Sequence, residues 1–173
     1  KKNDFTVDDF IVFNESIKEK YQKYVKANYH ILGSYRLSNI LDKKIKKKKK
    51  YKNSLVYISQ HRHFLDKKNK FDLPEIRIVK FLDEYCFKKK LNLYIYFYNK
   101  KNSFNLIKEK NFYEKKIKYS KKNYLINKNS LESYQNVLNF DLIITCDSTM
   151  GYETLSIKKK TVFLSIRKGK HLE

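Results

Sequence analysis

The chain has 173 residues, 41% of them hydrophobic, and 40 Lys+Arg against 18 Asp+Glu give a formal net charge of +22. That length fits one domain of ordinary size with a buried core, or one half of a two-domain enzyme, and the whole chain is read as a single domain. No apolar run approaches the roughly 20 residues that span a bilayer, and the lysine-rich start Lys1-Lys2-Asn3-Asp4 leads into no signal-peptide core, so a cytoplasmic protein is expected.

Phe10-Ile11-Val12-Phe13 predicts a short buried strand, and Asn14 is a good N-cap for a helix from Glu15 to Lys26, with Glu15 favourable against the helix dipole. Tyr29 to Leu32 predicts the next strand, closed by Gly33-Ser34, and the run Lys46 to Lys50 reads as a solvated loop. Leu55 to Ser59 is the clearest strand, ending in the polar cluster Gln60-His61-Arg62-His63. Asp72 and Glu75 form a capping box, and Pro74 is tolerated in a first turn because its missing N–H would be unpaired there. The helix that follows reaches about Lys89, with Ile76, Val79, Leu82 and Cys86 at helical spacing and Ile78 and Tyr85 widening the stripe. Leu91 to Tyr98, LNLYIYFY, predicts a strand buried on both faces. Ser103 caps a helix through Phe112 and Tyr113, Tyr124 to Ile126 is a brief strand, and Ser130 opens a helix to Leu138. Asp141 to Thr145, a helix from Ser148 and a strand from Thr161 to Ser165 complete the chain.

Alternating strands and helices predict a Rossmann-like α/β domain, a parallel sheet with helices on both faces. Ligands of such sheets bind beyond the carboxyl ends of the strands. The residues to read for function are therefore Gly33-Ser34-Tyr35-Arg36, Gln60-His61-Arg62, Tyr98-Asn99-Lys100, and Asp147 to Glu153. Cys86 and Cys146 have no partner at metal-ligand spacing and read as reduced buried thiols. The charge excess is almost all lysine, in the company of abundant Asn, Ile, Tyr and Phe, as an AT-rich coding sequence would write it on solvated surfaces. Charge alone therefore names no partner.

The stretch ITCDSTMGYETL, Ile144 to Leu155, is where an apolar run meets a dense group of small polar residues. Ser148 or Asp147 would serve there simply as an N-cap. A capping box from Ser148 or Thr149 would need its acid at position 151 or 152, however, and those hold Gly151 and Tyr152. Helical spacing puts Thr149, Glu153 and Ser156 on one polar face and Ser148, Gly151, Tyr152 and Leu155 on another. Glycine in a first turn costs about 1 kcal/mol relative to alanine, which suggests close approach of something to the backbone. A helix N-terminus without side chains in the way suits a phosphate or diphosphate, and an acid one turn further on suits ribose hydroxyls. Neither G-x-G-x-x-G nor a P-loop is present.

Asp141-Leu142-Ile143-Ile144 followed by DSTMGYETLSIKKKTVFLSIR resembles the nucleotide-sugar-binding half of GT-B glycosyltransferases, and most closely bacterial surface carbohydrate biosynthesis proteins. The segments FIVFNESIKEKY, ILGSYRLSN and YISQHR upstream are similar in order, so the resemblance covers most of the chain. It implies a C-terminal donor-binding domain, with Glu153 on the ribose and Ser148, Thr149 and Gly151 near the phosphates. It also implies an N-terminal acceptor domain that 173 residues cannot hold, so the chain is expected to be a fragment, inactive alone, whose final Leu172-Glu173 reads as a cloning scar. The acceptor expected is a glycan or a lipid-linked glycan, reached through that missing domain, with peripheral contact at the inner face of the cytoplasmic membrane. No metal or cofactor is expected beyond the donor itself, of UDP or CMP type.

Arg62, with Gln60 and His61, and Arg36, after Gly33-Ser34, supply further cations and donors for the donor's phosphates or sugar; each reads equally as a loop residue. Asp147 is a second cap or part of the sugar pocket. Rival readings are a basic nucleic-acid-binding module, which would interleave basic and aromatic residues on an exposed sheet face, a GT-B-like sugar-nucleotide epimerase, and a scaffold for a membrane assembly. No specific nucleic acid is expected as a partner.

Overall fold

The computed structural model describes residues 5–42, 51–60, 74–127 and 130–164. The chain divides into two compact units, Lys1–Ile45 and Lys46–Glu173.

In the first unit, β1 (Phe5–Val12) and β2 (Val25–Ile31) form a parallel pair joined by α1 (Glu15–Tyr21), and α2 (Tyr35–Asp42) follows. Asn14 caps α1 as its type predicts, its Oδ1 accepting from the Ile17 N–H at 2.9 Å. Phe10 lies edge-on to Tyr21 and Tyr29, which fastens α1 to one face of the pair. The helix ends at Tyr21, short of the predicted Lys26, because Val25 and the residues after it are recruited to β2. α2 was not expected from the sequence. Ser34 starts it, its Oγ accepting from the Leu37 N–H at 3.2 Å.

The second unit contains β3 (Tyr51–Ile58), α3 (Pro74–Lys89), β4 (Asn92–Lys100), α4 (Phe104–Lys116), β5 (Asn123–Asn127), α5 (Ser130–Val137), β6 (Phe140–Thr145), α6 (Thr149–Ser156) and β7 (Thr161–Phe163). All five strands are parallel, in the order β5-β4-β3-β6-β7. Alternation along each central strand sends side chains to two separate cores. Leu55, Tyr57, Ile95, Phe97 and Ile144 pack under α3 and α4, against Ile78, Val79, Leu82, Cys86 and Tyr113. Val56, Ile58, Tyr96 and Ile143 pack on the opposite face with Val137 of α5 and, half-buried, Met150 of α6. The sheet thus has helices on both faces, the α/β Rossmann-like architecture that the alternation of elements predicts.

A buried carboxylate ties α3 to the loop before β5. Asp83 of α3 accepts from the N–H groups of Lys118, Tyr119 and Ser120, at 2.6, 3.0 and 2.7 Å, and so fixes the entry to β5. Burial raises its pKa, but these donors together outweigh it and hold the carboxyl below its ordinary value. Both cysteines are free and buried, and burial, with Asp83 nearby, pushes the Cys86 thiol up to about 11. Among the described residues no helix is long and apolar enough to cross a membrane. The Lys46–Lys50 run, Asp72 of the expected capping box and the chain after Leu164 lie outside the described residues; Glu75 is inside them and buried.

Candidate functional site

Strand order decides where a ligand can enter. From β3 the chain steps outward to β4 and β5, then returns to the other side of β3 as β6 and continues to β7, so the direction of winding reverses between β3 and β6. Crossover helices consequently lie on opposite faces to either side of that point, and the carboxyl ends of these two strands are where a sheet wound in this way forms its ligand crevice. The described residues at those ends are Ser59 and Gln60, following β3, and Cys146 to Ser148, following β6.

The β3 side is held by a carboxylate that the sequence reading passed over. Glu109 of α4 is fully buried; its Oε1 accepts from Ser59 Oγ at 2.5 Å and from the Tyr98 N–H at 2.9 Å, and its Oε2 from the Asn99 N–H at 2.9 Å and Asn99 Nδ2 at 2.8 Å. The Tyr113 hydroxyl donates to Ser59 Oγ at 2.7 Å, and burial above all keeps that phenol protonated, its pKa well above the ordinary value. This network locks the ends of β3 and β4 in register. The signal was present in the sequence: Leu106, Glu109 and Tyr113 share the inward stripe of α4, and an acid on an apolar stripe demands several donors. Gln60 is also buried, and its Oε1 receives no donor among the described residues.

On the β6 side, Thr145 Oγ1 accepts from the Ser148 N–H at 3.2 Å and turns the chain into α6. Ser148 has the extended backbone of an N-cap (φ −68, ψ 136), but its side chain makes no capping bond. The Gly151 and Tyr152 N–H groups reach back to the Ser148 carbonyl at 2.8 and 3.3 Å. The amides of Thr149 and Met150 have no acceptor among the described residues. α1 and α4 differ here, since Asn14 and Ser103 place a side-chain oxygen on their first-turn amides. The first turn of α6 thus keeps its positive end and two donors open.

Gly151 and Glu153 take roles other than those the helical wheel suggests. Gly151 faces the sheet: a Cβ there would stand 2.5 Å from Thr145 Cγ2 and 3.2 Å from the Phe163 ring. The glycine lets α6 lie close on β6 and β7, so its absent side chain is explained by helix–sheet packing. Glu153, expected on a polar face beside Thr149 and Ser156, is only 6% exposed, whereas those two are exposed. It accepts a hydrogen bond on Oε2 from the hydroxyl of Tyr134, itself buried in α5. The pair ties α5 to α6 through the protein interior. A side chain on an exposed polar face could be truncated with little effect on folding, whereas loss of this buried carboxylate removes a tie between two helices.

Of the remaining expected residues, Asp147 is half-buried at the bend between β6 and α6, with Ser148 and Thr149 beside it and Gln60 at the neighbouring strand end. Gly33, Ser34 and Arg36 belong to the first unit, where Gly33 takes φ +66 at the turn and Ser34 starts α2. His61 and Arg62 lie outside the described residues. Among the described residues no group of three or more His, Cys, Asp or Glu side chains is arranged to hold a metal ion.

The model of a family described as "putative O-antigen biosynthesis protein" matches residues 1–172. Neither a curated protein nor a solved structure matches the chain. The chain belongs to that O-antigen biosynthesis family, which associates it with surface polysaccharide biosynthesis.

Proposed function

We propose that this member of the O-antigen biosynthesis family binds a nucleotide-activated sugar at the carboxyl edge between β3 and β6, as the donor-binding part of a GT-B glycosyltransferase. The observation that carries the reading is the coincidence of two independent features. The switch in strand order falls beside α6, and among the described helix starts with a Ser or Asn cap, that of α6 leaves its first-turn amides without a side-chain acceptor. Open amides on a helix N-terminus bind phosphate by hydrogen bonds and by the dipole. Gln60 Oε1, a buried acceptor at the adjoining strand end, would be satisfied by a ligand hydroxyl or a bridging water. In transfer, the same amides would stabilise the charge that develops on the departing nucleotide phosphate. Glycan or lipid-linked acceptors would be brought by a partner domain.

The burial of the middle of LNLYIYFY supports this reading over the strand-based nucleic-acid module. Leu93, Ile95, Tyr96 and Phe97 are buried beneath helices on both faces, so the sheet offers no open aromatic platform. Calorimetric titration with UDP, CMP, their sugar conjugates and pyrophosphate tests the proposal. Saturable binding of at least one nucleotide, persisting as salt rises, is expected, while retention of mixed-sequence RNA should fall steeply with salt through counterion release. Absence of binding by every nucleotide, or a salt-resistant preference for one RNA sequence, would refute it.

A further inference from the structure

The turn joining β4 to α4 carries a surface of its own. β4 pairs with β3 only as far as Tyr96 but continues beside β5 to Lys100. At about 3.3 Å per residue its end therefore projects roughly 13 Å past the last pairing with the central strand. Asn102, at φ +69, reverses the chain at the tip and Ser103 starts α4. On this projection Tyr98, Phe104 and Ile107 are 55%, 71% and 60% exposed. Lys100, Lys101 and Lys110 are exposed around them, and Lys108 Nζ lies 4.4 Å from the centre of the Phe104 ring. From Tyr98 to Lys110 the sequence holds a single carboxylate, Glu109, which is drawn inside by Ser59 and Asn99. A tip that exposes large apolar side chains and lysines, and no acid, has the chemistry of an interfacial anchor.

We propose that the β4–α4 turn docks the protein on an anionic phospholipid bilayer, with Phe104 and Ile107 entering the headgroup boundary and Lys100, Lys101 and Lys108 meeting lipid phosphates. A bilayer deforms around a small convex projection, whereas a specific protein partner needs about 800 Å² of complementary surface per side. Nucleic acid would use the aromatic rings but gains little from the aliphatic Ile107. Because β4 ends at the same sheet edge as β3 and β6, docking turns the crevice edge toward the membrane surface. The inference does not depend on what that crevice binds.

The chain contains no tryptophan, so Phe104→Trp introduces a single reporter at the tip. Its emission should shift to the blue and be quenched by brominated lipid when vesicles containing phosphatidylglycerol are added, and much less with phosphatidylcholine alone. Phe81→Trp, on the exposed face of α3, should keep the emission of a water-exposed indole. The double variant Phe104→Ser/Ile107→Ser retains every lysine and should bind the anionic vesicles about tenfold or more weakly, since two apolar side chains no longer leave water. The proposal is overturned by an unshifted Phe104→Trp spectrum on vesicles, by an equal shift at Phe81→Trp, or by wild-type binding of the serine variant. A Phe104→Trp shift produced by RNA, or by rising protein concentration without lipid, would assign the tip to nucleic acid or to a second copy and would overturn it equally.

Discussion

Replacing Ser148 with aspartate sets stability and binding in opposite directions. The serine has N-cap backbone geometry without a capping bond, so its hydroxyl contributes little to α6. An aspartate can place a carboxylate oxygen on the open first-turn amides and add a negative charge to the positive end of the helix. A new cap gives about 0.5–2 kcal/mol and the dipole about 0.3–1 kcal/mol, so a gain of roughly 1–2 kcal/mol is expected. For a chain of this size that corresponds to a rise in Tm of a few degrees. Nucleotide binding should move the other way. A phosphate drawn to the same amides would stand about 4 Å from the new carboxylate, a repulsion between about 1 kcal/mol in bulk water and about 4 kcal/mol at the dielectric of a protein surface. With about 1.4 kcal/mol for each factor of ten, affinity should fall from several-fold to almost a thousandfold. Ser148→Ala is the control, removing a hydroxyl that caps nothing, and should change stability by less than about 0.5 kcal/mol. Thermal unfolding with and without UDP or CMP, alongside calorimetry, reads both effects. A Ser148→Asp protein that binds nucleotide as tightly as wild type would refute the site, and one that is also no more stable would refute the open amides themselves.

Gly151→Ala should destabilise by about 1–3 kcal/mol, as overpacking does, because its methyl would meet Thr145 Cγ2 at 2.5 Å; in a Thr145→Ser background, where that methyl is absent and the Oγ is kept, chemical denaturation should recover much of the loss. Glu153→Ala removes the acceptor of the buried Tyr134 hydroxyl and should cost about 1–3 kcal/mol. Combining it with Tyr134→Phe should cost less than the sum of the single changes, and strict additivity in that cycle would show the pair to be uncoupled. The depressed pKa of Asp83 means that its contribution is fully present above the ordinary carboxylate value near 3.8 and is lost as pH falls through the lower folded value. Asp83→Asn should therefore lower stability at neutral pH and flatten the acid limb of the stability–pH curve; parallel curves for the two proteins would contradict this.

Much of the fold could be read from local chemistry. LNLYIYFY, with its β-branched and aromatic character, forms β4, and Asn14 and Ser103 cap the helices they precede. The chain-order alternation of strands and helices led to the right layers. α2 has no separate signal in the sequence, because Gly33-Ser34 reads as the end of a strand and the same serine serves as the helix cap. α1 is shorter than its pattern predicts because Val25 to Lys26 continue a helical pattern as readily as they begin a strand, and only pairing with β1 settles the choice. Strand order, which locates the crevice, depends on contacts between distant segments and has no local signature.

The sequence from Asp147 to Glu153 marks the bend from β6 into α6 but does not fix which way its side chains face. A helical wheel gives relative angles but not which angle meets the sheet, and that missing rotation accounts for both revisions. With Gly151 turned toward Thr145 and Phe163, Thr154 is buried on the same side, its Oγ1 3.0 Å from Thr161 Oγ1 of β7. Glu153, one residue around, is then carried to α5, and Thr149 and Tyr152 are left outside. The packing that occupies these side chains also sets the position of the first turn. Gly151 permits close approach to the sheet, Thr145 both limits that approach and holds the Ser148 amide, and Tyr134 with Glu153 anchors the outer side of the helix. What remains open among the described residues after those contacts are made is backbone, the amides of Thr149 and Met150, and backbone donors held by a packed helix would already be oriented for the phosphate of the proposed donor.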